Sequence, residues 1–281
     1  MAGTVSAAGF ESLRIGTDAQ TAALGMAGVA AASGPAACFF NPAGLPGWSE
    51  NTASATLHRW IQDVTAGVFG VAWSGKSRGF GIAVQYTESG GIEHRIVPSP
   101  EPIGTFSWNE LSAGISFGVR RGKWSFGLTG KVLYEKIFID DAWGGAADFG
   151  AAVETGFRGL RLAGAVTNLG ATGRLQREPV DLPTAVRIGA YLPVGLSEGL
   201  HGSVVLDALV ERGGSFHLLG GAALALRRVL FVRAGYQGGY DNRGFCFGAG
   251  IALKSYRLDY AFLPLGSGLG ESHRFTFGVR W

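Results

Sequence analysis

Alternation with a period of two is the feature that most limits what this chain can become. In LSAGISFGV, residues Leu111, Ala113, Ile115, Phe117 and Val119 alternate with Ser112, Gly114, Ser116 and Gly118. A strand sends successive side chains to opposite faces, so this pattern demands a strand with one apolar and one polar side. KWSFGLTGKVLYEK repeats it, setting Trp124, Phe126, Leu128, Val132 and Tyr134 against Lys123, Ser125, Thr129, Lys131 and Glu135. RGFCFGAGIALK does so with Phe245, Phe247, Ala249, Ile251 and Leu253. From about Asn51 onward the sequence divides into about fourteen such runs, each roughly 8–15 residues long and able to cross a bilayer when tilted.

The links between runs carry a second signal. Links after even-numbered runs are short: GKSR (75–78), RG (121–122), RG (158–159), VGLSEG (194–199), RR (227–228) and KS (254–255). Links after odd-numbered runs include GGIEHRIVPSPEPIGTFS (90–107), LGATGRLQREPVDLP (169–183) and PLGSGLG (264–270). Membrane barrels sort their connections in this way, with short periplasmic turns and longer outer loops. A soluble sandwich also alternates, but it has no reason to sort its links by parity. Trp60, Trp73, Tyr86, Trp108, Trp124, Tyr134 and Tyr191 lie near run ends, where interfacial girdles are expected. The expected fold is all-β: a transmembrane antiparallel barrel of about fourteen strands over residues 51–281.

Composition agrees with that reading. Charged residues are 16% of the chain, below the usual quarter, and glycine is abundant at 47 residues. Only 10 prolines and no three-residue period exclude collagen, and 18 Phe with 7 Trp exclude a flexible linker. The net charge of +3 without a long basic run gives nucleic-acid binding no support. Cys38 and Cys246 are too few and too far apart for a zinc site or a disulfide framework, and are expected as packed thiols. No stretch is long and apolar enough for a membrane helix; the best candidate, Thr21–Ser33, is short and broken by glycines. Met1–Ser12 lacks the basic start and apolar core of a signal peptide, so a leader upstream of Ala2 is expected.

The last run, RFTFGVRW, places Phe275, Phe277, Val279 and Trp281 on one face and continues to the final residue. In a closed barrel the last strand pairs with the first, so such an end is expected to be a full ladder member. Its alternation with a terminal aromatic resembles the C-terminal assembly signal of bacterial outer-membrane barrels. That resemblance implies recognition by the barrel-assembly machinery.

Residues 1–50 read differently. GTDAQTAALGMAGVAAASGPAACFFNPAGLPGW (16–48) is Ala- and Gly-rich without alternation, and Asp18 is placed to cap a short helix. Too apolar for a tail and too short for a domain, it is expected to fold into the lumen as a plug, where inward glycines leave room. Within FFNPAGL, Pro42 pushes Asn41 to an extended conformation. The Asn41 side chain can then close a local turn, with Ala43 following and Gly44 tolerating positive φ. Two readings stay open: a corner seating the plug beside a substrate path, or only a turn leading into the first strand.

GTDAQTAALGMAGVAAA, FFNPAGL, LHRWIQDVTAGVFGVAW (57–73), DFGAAVE (148–154), VTNLG (166–170), DLPTAVRIGAYL (181–192) and LDYAFLPLGSGLGESHRFTFGVRW (258–281) occur in this order. Together they resemble the PorV/PorQ family, relatives of the FadL/TodX channels for hydrophobic compounds. The resemblance covers nearly the whole chain and implies a bacterial outer-membrane barrel. It implies two functions: an interaction component of type IX-like protein export, meeting secreted proteins or a translocon, or, as the alternative, a channel for a hydrophobic ligand. In both, outer-membrane lipid is a partner.

No enzymatic site is expected. GISFG (114–118) matches the nucleophile-elbow pattern, but Ser116 falls mid-strand, where the required strand-to-helix turn cannot form. GFGIAV (79–84) and GAGIAL (248–253) lack a following helix N-terminus for phosphate. His58, His94, His201, His217 and His273 are dispersed, so neither a metal nor a cofactor is expected. His58, Trp60 and Asp63 are expected at the interface beside the first outer loop, and Asp140-Asp141 in a surface loop. Charges on the polar faces, Arg120, Lys131, Glu135, Arg161, Arg187, Asp207, Arg233, Arg257, Asp259 and Arg274, are expected to face the lumen. A charge facing lipid at mid-membrane would cost about 2–4 kcal/mol. They either pair with the plug and one another or line a charged path.

Overall fold

A computed structural model describes residues 9–47, 50–61, 63–95, 102–175, 178–179 and 181–281, with the side chains at 174–175 and 178–179 left undescribed. Expectations placed on residues 1–8, Trp48, 96–101, 176–177 and 180 fall outside the described residues. The barrel begins with β1 (Thr52–Arg59), β2 (Thr65–Ser74), β3 (Arg78–His94) and β4 (Gly104–Arg121). It continues through β5 (Trp124–Ile137), β6 (Asp140–Glu154) and β7 (Arg161–Thr172). After a two-stranded ribbon, β8 (Arg174–Leu175) and β9 (Glu178–Pro179), come β10 (Ala185–Ser197), β11 (Leu200–Glu211) and β12 (Phe216–Leu226). The last strands are β13 (Leu230–Gly238), β14 (Phe245–Leu253), β15 (Tyr256–Pro264) and β16 (Glu271–Arg280).

Apart from the ribbon, every strand pairs antiparallel with its neighbours, and β16 closes the ring on β1 from Thr52↔Arg280 to Arg59↔His273. The barrel therefore has fourteen strands, as the alternation predicts, and no free edge. Trp281 and Asn51 extend the closure by exchanging backbone hydrogen bonds at 3.1 Å.

The wall is apolar outside and polar inside. Ile115, Phe117, Phe126 and Leu128 are exposed on the outer face, whereas Ser116 and Thr129 are completely buried and bonded to each other at 2.8 Å. Arg274, the largest fully buried side chain among the described residues, is 1% exposed, while Leu57 is 73% exposed. This is the reverse of a water-soluble protein. Trp73 and Trp124 stand outward at the short-turn end, and Tyr86, Tyr134 and Trp143 near the loop end.

Some expectations need correction. Three of the girdle aromatics turn inward. Trp108 donates to Glu135 at 3.1 Å, Tyr191 packs against Val29 and Ala30, and Trp60 lies under the guanidinium groups of Arg243 and Arg274. Buried partners outweigh the interfacial preference at these positions. His58 likewise faces inward, bonded to Ser272 at 2.8 Å. The stretch 90–107 is not all loop, because β3 and β4 carry on past a bulge at Ser89/Ile92. There Gly91 takes φ 70, which lets the extra residue leave the ladder. In the same way, β10 runs through most of VGLSEG, leaving only 198–199 as the turn. Asp140 and Asp141 open β6, paired with Ile137 and Lys136, so the β5–β6 connection breaks the parity rule.

Candidate functional site

Residues 9–47 lie inside the barrel and bond to inward side chains around most of its circumference. The segment begins with Phe10 and a turn of 3-10 helix (Glu11–Arg14). Ser12 donates its amide to Glu110 at 2.9 Å and accepts at its carbonyl from Gln85 at 2.8 Å. The helix α1 (Ala19–Ala23) follows, and Asp18 caps it as its position predicts, accepting the Thr21 amide at 2.9 Å. Alanine at 19, 22 and 23 lets this helix come close to β13–β16, and Ala19 donates its amide to Thr276 at 2.9 Å. Burial holds the Asp18 carboxyl above the usual carboxylate range, and the Thr21 bonds only partly oppose that.

Beyond α1 the backbone is gripped by charge. The Asp207 carboxylate accepts the amides of Gly28 at 2.8 Å and Val29 at 2.9 Å. Arg187 donates to the Met26 carbonyl at 2.7 Å and lies over the Phe40 ring. A second short helix, α2 (Ala37–Phe40), carries the fully packed Cys38, whose thiol burial pushes up to about 11. Cys38 and Cys246 are free and buried.

The Asn41 corner then meets the short-turn end of the wall. Asn41 is extended (φ −167, ψ 106), and its Oδ1 accepts the Ala43 amide at 3.0 Å. Its Nδ2 donates to Val29 at 2.9 Å and to Ala151 in β6 at 3.3 Å. Pro42 rests on Gly118 and Gly127, whose missing side chains make the space. Arg161 donates to the Ala43 carbonyl at 3.1 Å, and Ser74 to the Leu45 carbonyl at 2.6 Å. Gly44 does not use positive φ; it is needed because a Cβ there would strike the Ala32 carbonyl.

The structure places the charges named from the sequence as follows. Arg120 pairs with Glu154 at 2.9 Å beside Gly47, at the short-turn end. Lys131 bridges Asp148 at 2.7 Å and Asn168 at 2.8 Å. Glu135 accepts from Trp108, and Arg187 lies 3.6 Å from Asp207. Arg233 and Arg257 both hold Asp259, at 2.9 and 2.7 Å. Arg274 reaches the Met26 sulfur at 3.5 Å. Phe275 and Phe277 face outward, and Trp281 is exposed. Sequence reasoning missed Glu110, Gln85 and Thr276. Their position on a polar face was the available signal, since a neutral or single polar residue in a strand otherwise reads as ordinary.

Toward the loop end a cavity of about 60 Å³ remains between segment and wall. Leu13, Ile15, Met26, Phe40, Leu209 and Leu219 supply its apolar lining, and Arg14, Lys131, Arg187, Glu211 and Arg243 its charges. An apolar cavity of about 150 Å³ accepts benzene. This cavity, among the described residues, is smaller than one that accepts benzene. Among the described residues no cluster of His, Cys, Asp and Glu is arranged to hold a metal ion.

The class this geometry defines is a closed fourteen-strand antiparallel barrel whose lumen holds an N-terminal segment. No family model matches the sequence, and no curated protein does either. Among solved structures, the CymD monoaromatic hydrocarbon channel has the same fold, with TM-score 0.66 and 10% identity over 95% of this chain and 97% of that one. The Ralstonia pickettii toluene transporter TbuX aligns with TM-score 0.61 and 13% identity, over 94% and 97% of the two chains. A Pseudomonas aeruginosa FadL homologue aligns with TM-score 0.56 and 12% identity, over 94% and 98%. At these identities the likeness is one of fold.

Proposed function

We propose that the protein is a bacterial outer-membrane channel for small hydrophobic molecules, with residues 9–47 as its plug. The observation that carries this reading is the lumen: a barrel with an apolar exterior, filled by a segment attached through hydrogen bonds and backbone contacts. A wall whose large apolar side chains face outward is stable in hydrocarbon and not in water. The hydrocarbon-channel architecture of its structural neighbours supports passage of an apolar solute over the export role that the PorV/PorQ resemblance implies. Among the described residues no contact surface particular to export supports that role. Because the remaining cavity is smaller than benzene requires, passage needs the segment to shift; the protein does no covalent chemistry in this reading.

Uptake of radiolabelled toluene by cells lacking other channels for it tests the proposal. Cells producing the protein should accumulate label faster than cells without it, and cells producing Gly150→Val, in which the corner cannot seat as it does in the native chain, faster still. No gain over cells without the protein overturns the channel. The plug has its own test in planar bilayers. Deleting residues 2–40 should leave an insertable barrel that leaks, and Asn41→Ala with Pro42→Ala should leak less. A deletion conducting no better than the intact chain overturns the plug.

A further inference from the structure

The two rims of the barrel differ in charge. At the short-turn rim Lys76 and Arg78 flank the β2–β3 turn, and Arg121 and Lys123 the β4–β5 turn. Arg158 lies in the β6–β7 turn, Arg227 and Arg228 in the β12–β13 turn, and Lys254 in the β14–β15 turn. All are exposed, and none of them joins an ion pair among the described residues. Carboxylates are scarce there: Glu50 pairs with Arg280 and Glu154 with Arg120, leaving Glu198 as the unpaired one among the described side chains. The loop rim is mixed, with Glu88, Asp140, Asp141, Asp241 and Glu271 beside Arg59, Arg95, Lys136, Arg212 and Arg243.

Backbone conformation adds a separate observation. Arg158 (φ 48), Arg227 (φ 52), Arg228 (φ 55) and Lys254 (φ 53) are all left-handed. Tight hairpin turns with positive φ favour Asn and Gly, which escape the steric cost that a longer side chain meets there. The chain places cations in these turns despite that cost. Directly above the rim stand Trp73, Phe80 and Trp124, exposed and outward. An open groove on the outer wall is lined by Trp73, Phe80 and Phe117 together with Asn51 and Arg78.

We propose that this rim is a collar for anionic phospholipid headgroups, with an acyl chain in the Trp73–Phe80–Phe117 groove and the phosphate held by Arg78 and Lys76. Aromatic side chains mark headgroup depth, and the guanidinium fork matches phosphate oxygens. The inference rests on the membrane-spanning reading.

Spin-labelled phosphatidylglycerol and phosphatidylcholine in vesicles containing the full chain test it. The fraction of each label immobilised at the protein should favour phosphatidylglycerol severalfold, since each basic residue near an anionic surface is worth about fivefold in affinity. The preference should shrink in high salt, which screens exposed charges. Lys76→Gln with Arg78→Gln should reduce it. Arg227→Asn with Arg228→Gly should reduce it too, while installing residues that suit the turn and so preserving the barrel. Equal immobilisation of both lipids by the native chain overturns the collar alone. No immobilised fraction for either lipid overturns the membrane-spanning reading with it.

Discussion

Asn41 occupies the place that a side chain on Gly150 would need. A Cβ built on Gly150 would overlap the Asn41 Oδ1 atom, although the two residues belong to different parts of the fold. Gly150→Val should therefore improve strand propensity in β6 and still unseat the corner. Overpacking of this kind costs about 1–3 kcal/mol, borne by the segment rather than by the ladder. Single-channel recordings should show more leak than the native chain, with unchanged urea unfolding of the barrel. Unchanged conductance would mean the corner moves aside without opening a path.

Asp207 attaches the segment to the wall through two backbone amides. Its carboxylate accepts those of Gly28 and Val29, and faces Arg187. Asp207→Ala leaves both amides without an acceptor, at about 1.5–3 kcal/mol for each bond to a charged group. Hydrogen exchange at Gly28 and Val29 should accelerate, and exchange in β10 and β12 should not. Protection unchanged at both amides would show the segment is held elsewhere.

The wall was legible because its physics is local and repeated. Leu111–Val119 and Trp124–Tyr134 sort their side chains by parity alone, and the fourteen runs close as the alternation requires. The Asn41 turn was legible for the same reason, since Pro42 restricts the residue before it. The lumen was not. Nothing local tells Asp207 that its partners are the amides of Gly28 and Val29, or Tyr191 that Val29 awaits it inside. Trp60 and Trp108 look interfacial by position, and only the folded barrel brings Arg274 and Glu135 beside them. Asp140-Asp141 reads as loop because two carboxylates suit water, yet Lys136 sits opposite Asp141 on the neighbouring strand.

Substitutions on adjacent residues of β4 should fail in different ways. Ile115 is 58% exposed on the outer face, so Ile115→Arg should cost about 2–4 kcal/mol of folding into lipid vesicles near mid-membrane. Ser116 faces inward, bonded to Thr129 and adjoining Cys38, so an arginine there meets the packed segment. Ser116→Arg should insert nearly as well as the native chain but expose residues 9–47 to added protease. Loss of insertion in both variants would argue that the wall is buried on both faces.

The buried pair of Arg233 and Asp259 gives the last prediction. Their side chains are 3% and 1% exposed and lie 2.9 Å apart, with Arg257 reaching the same carboxylate from a more open position. Two charges withdrawn from water hold each other, and removing one strands the other. Asp259→Leu should therefore cost about 3–5 kcal/mol, because Arg233 would remain charged without a carboxylate. Arg233→Met combined with Asp259→Leu should recover most of that loss, since apolar replacements of similar volume are often neutral. Arg257 is 29% exposed and can turn toward water when its partner is gone. Urea unfolding in vesicles, followed by tryptophan fluorescence, measures both variants. A double variant as unstable as the single one would mean that Asp259 matters for packing against Gly250, where a Cβ would collide with its carboxylate, rather than for its charge.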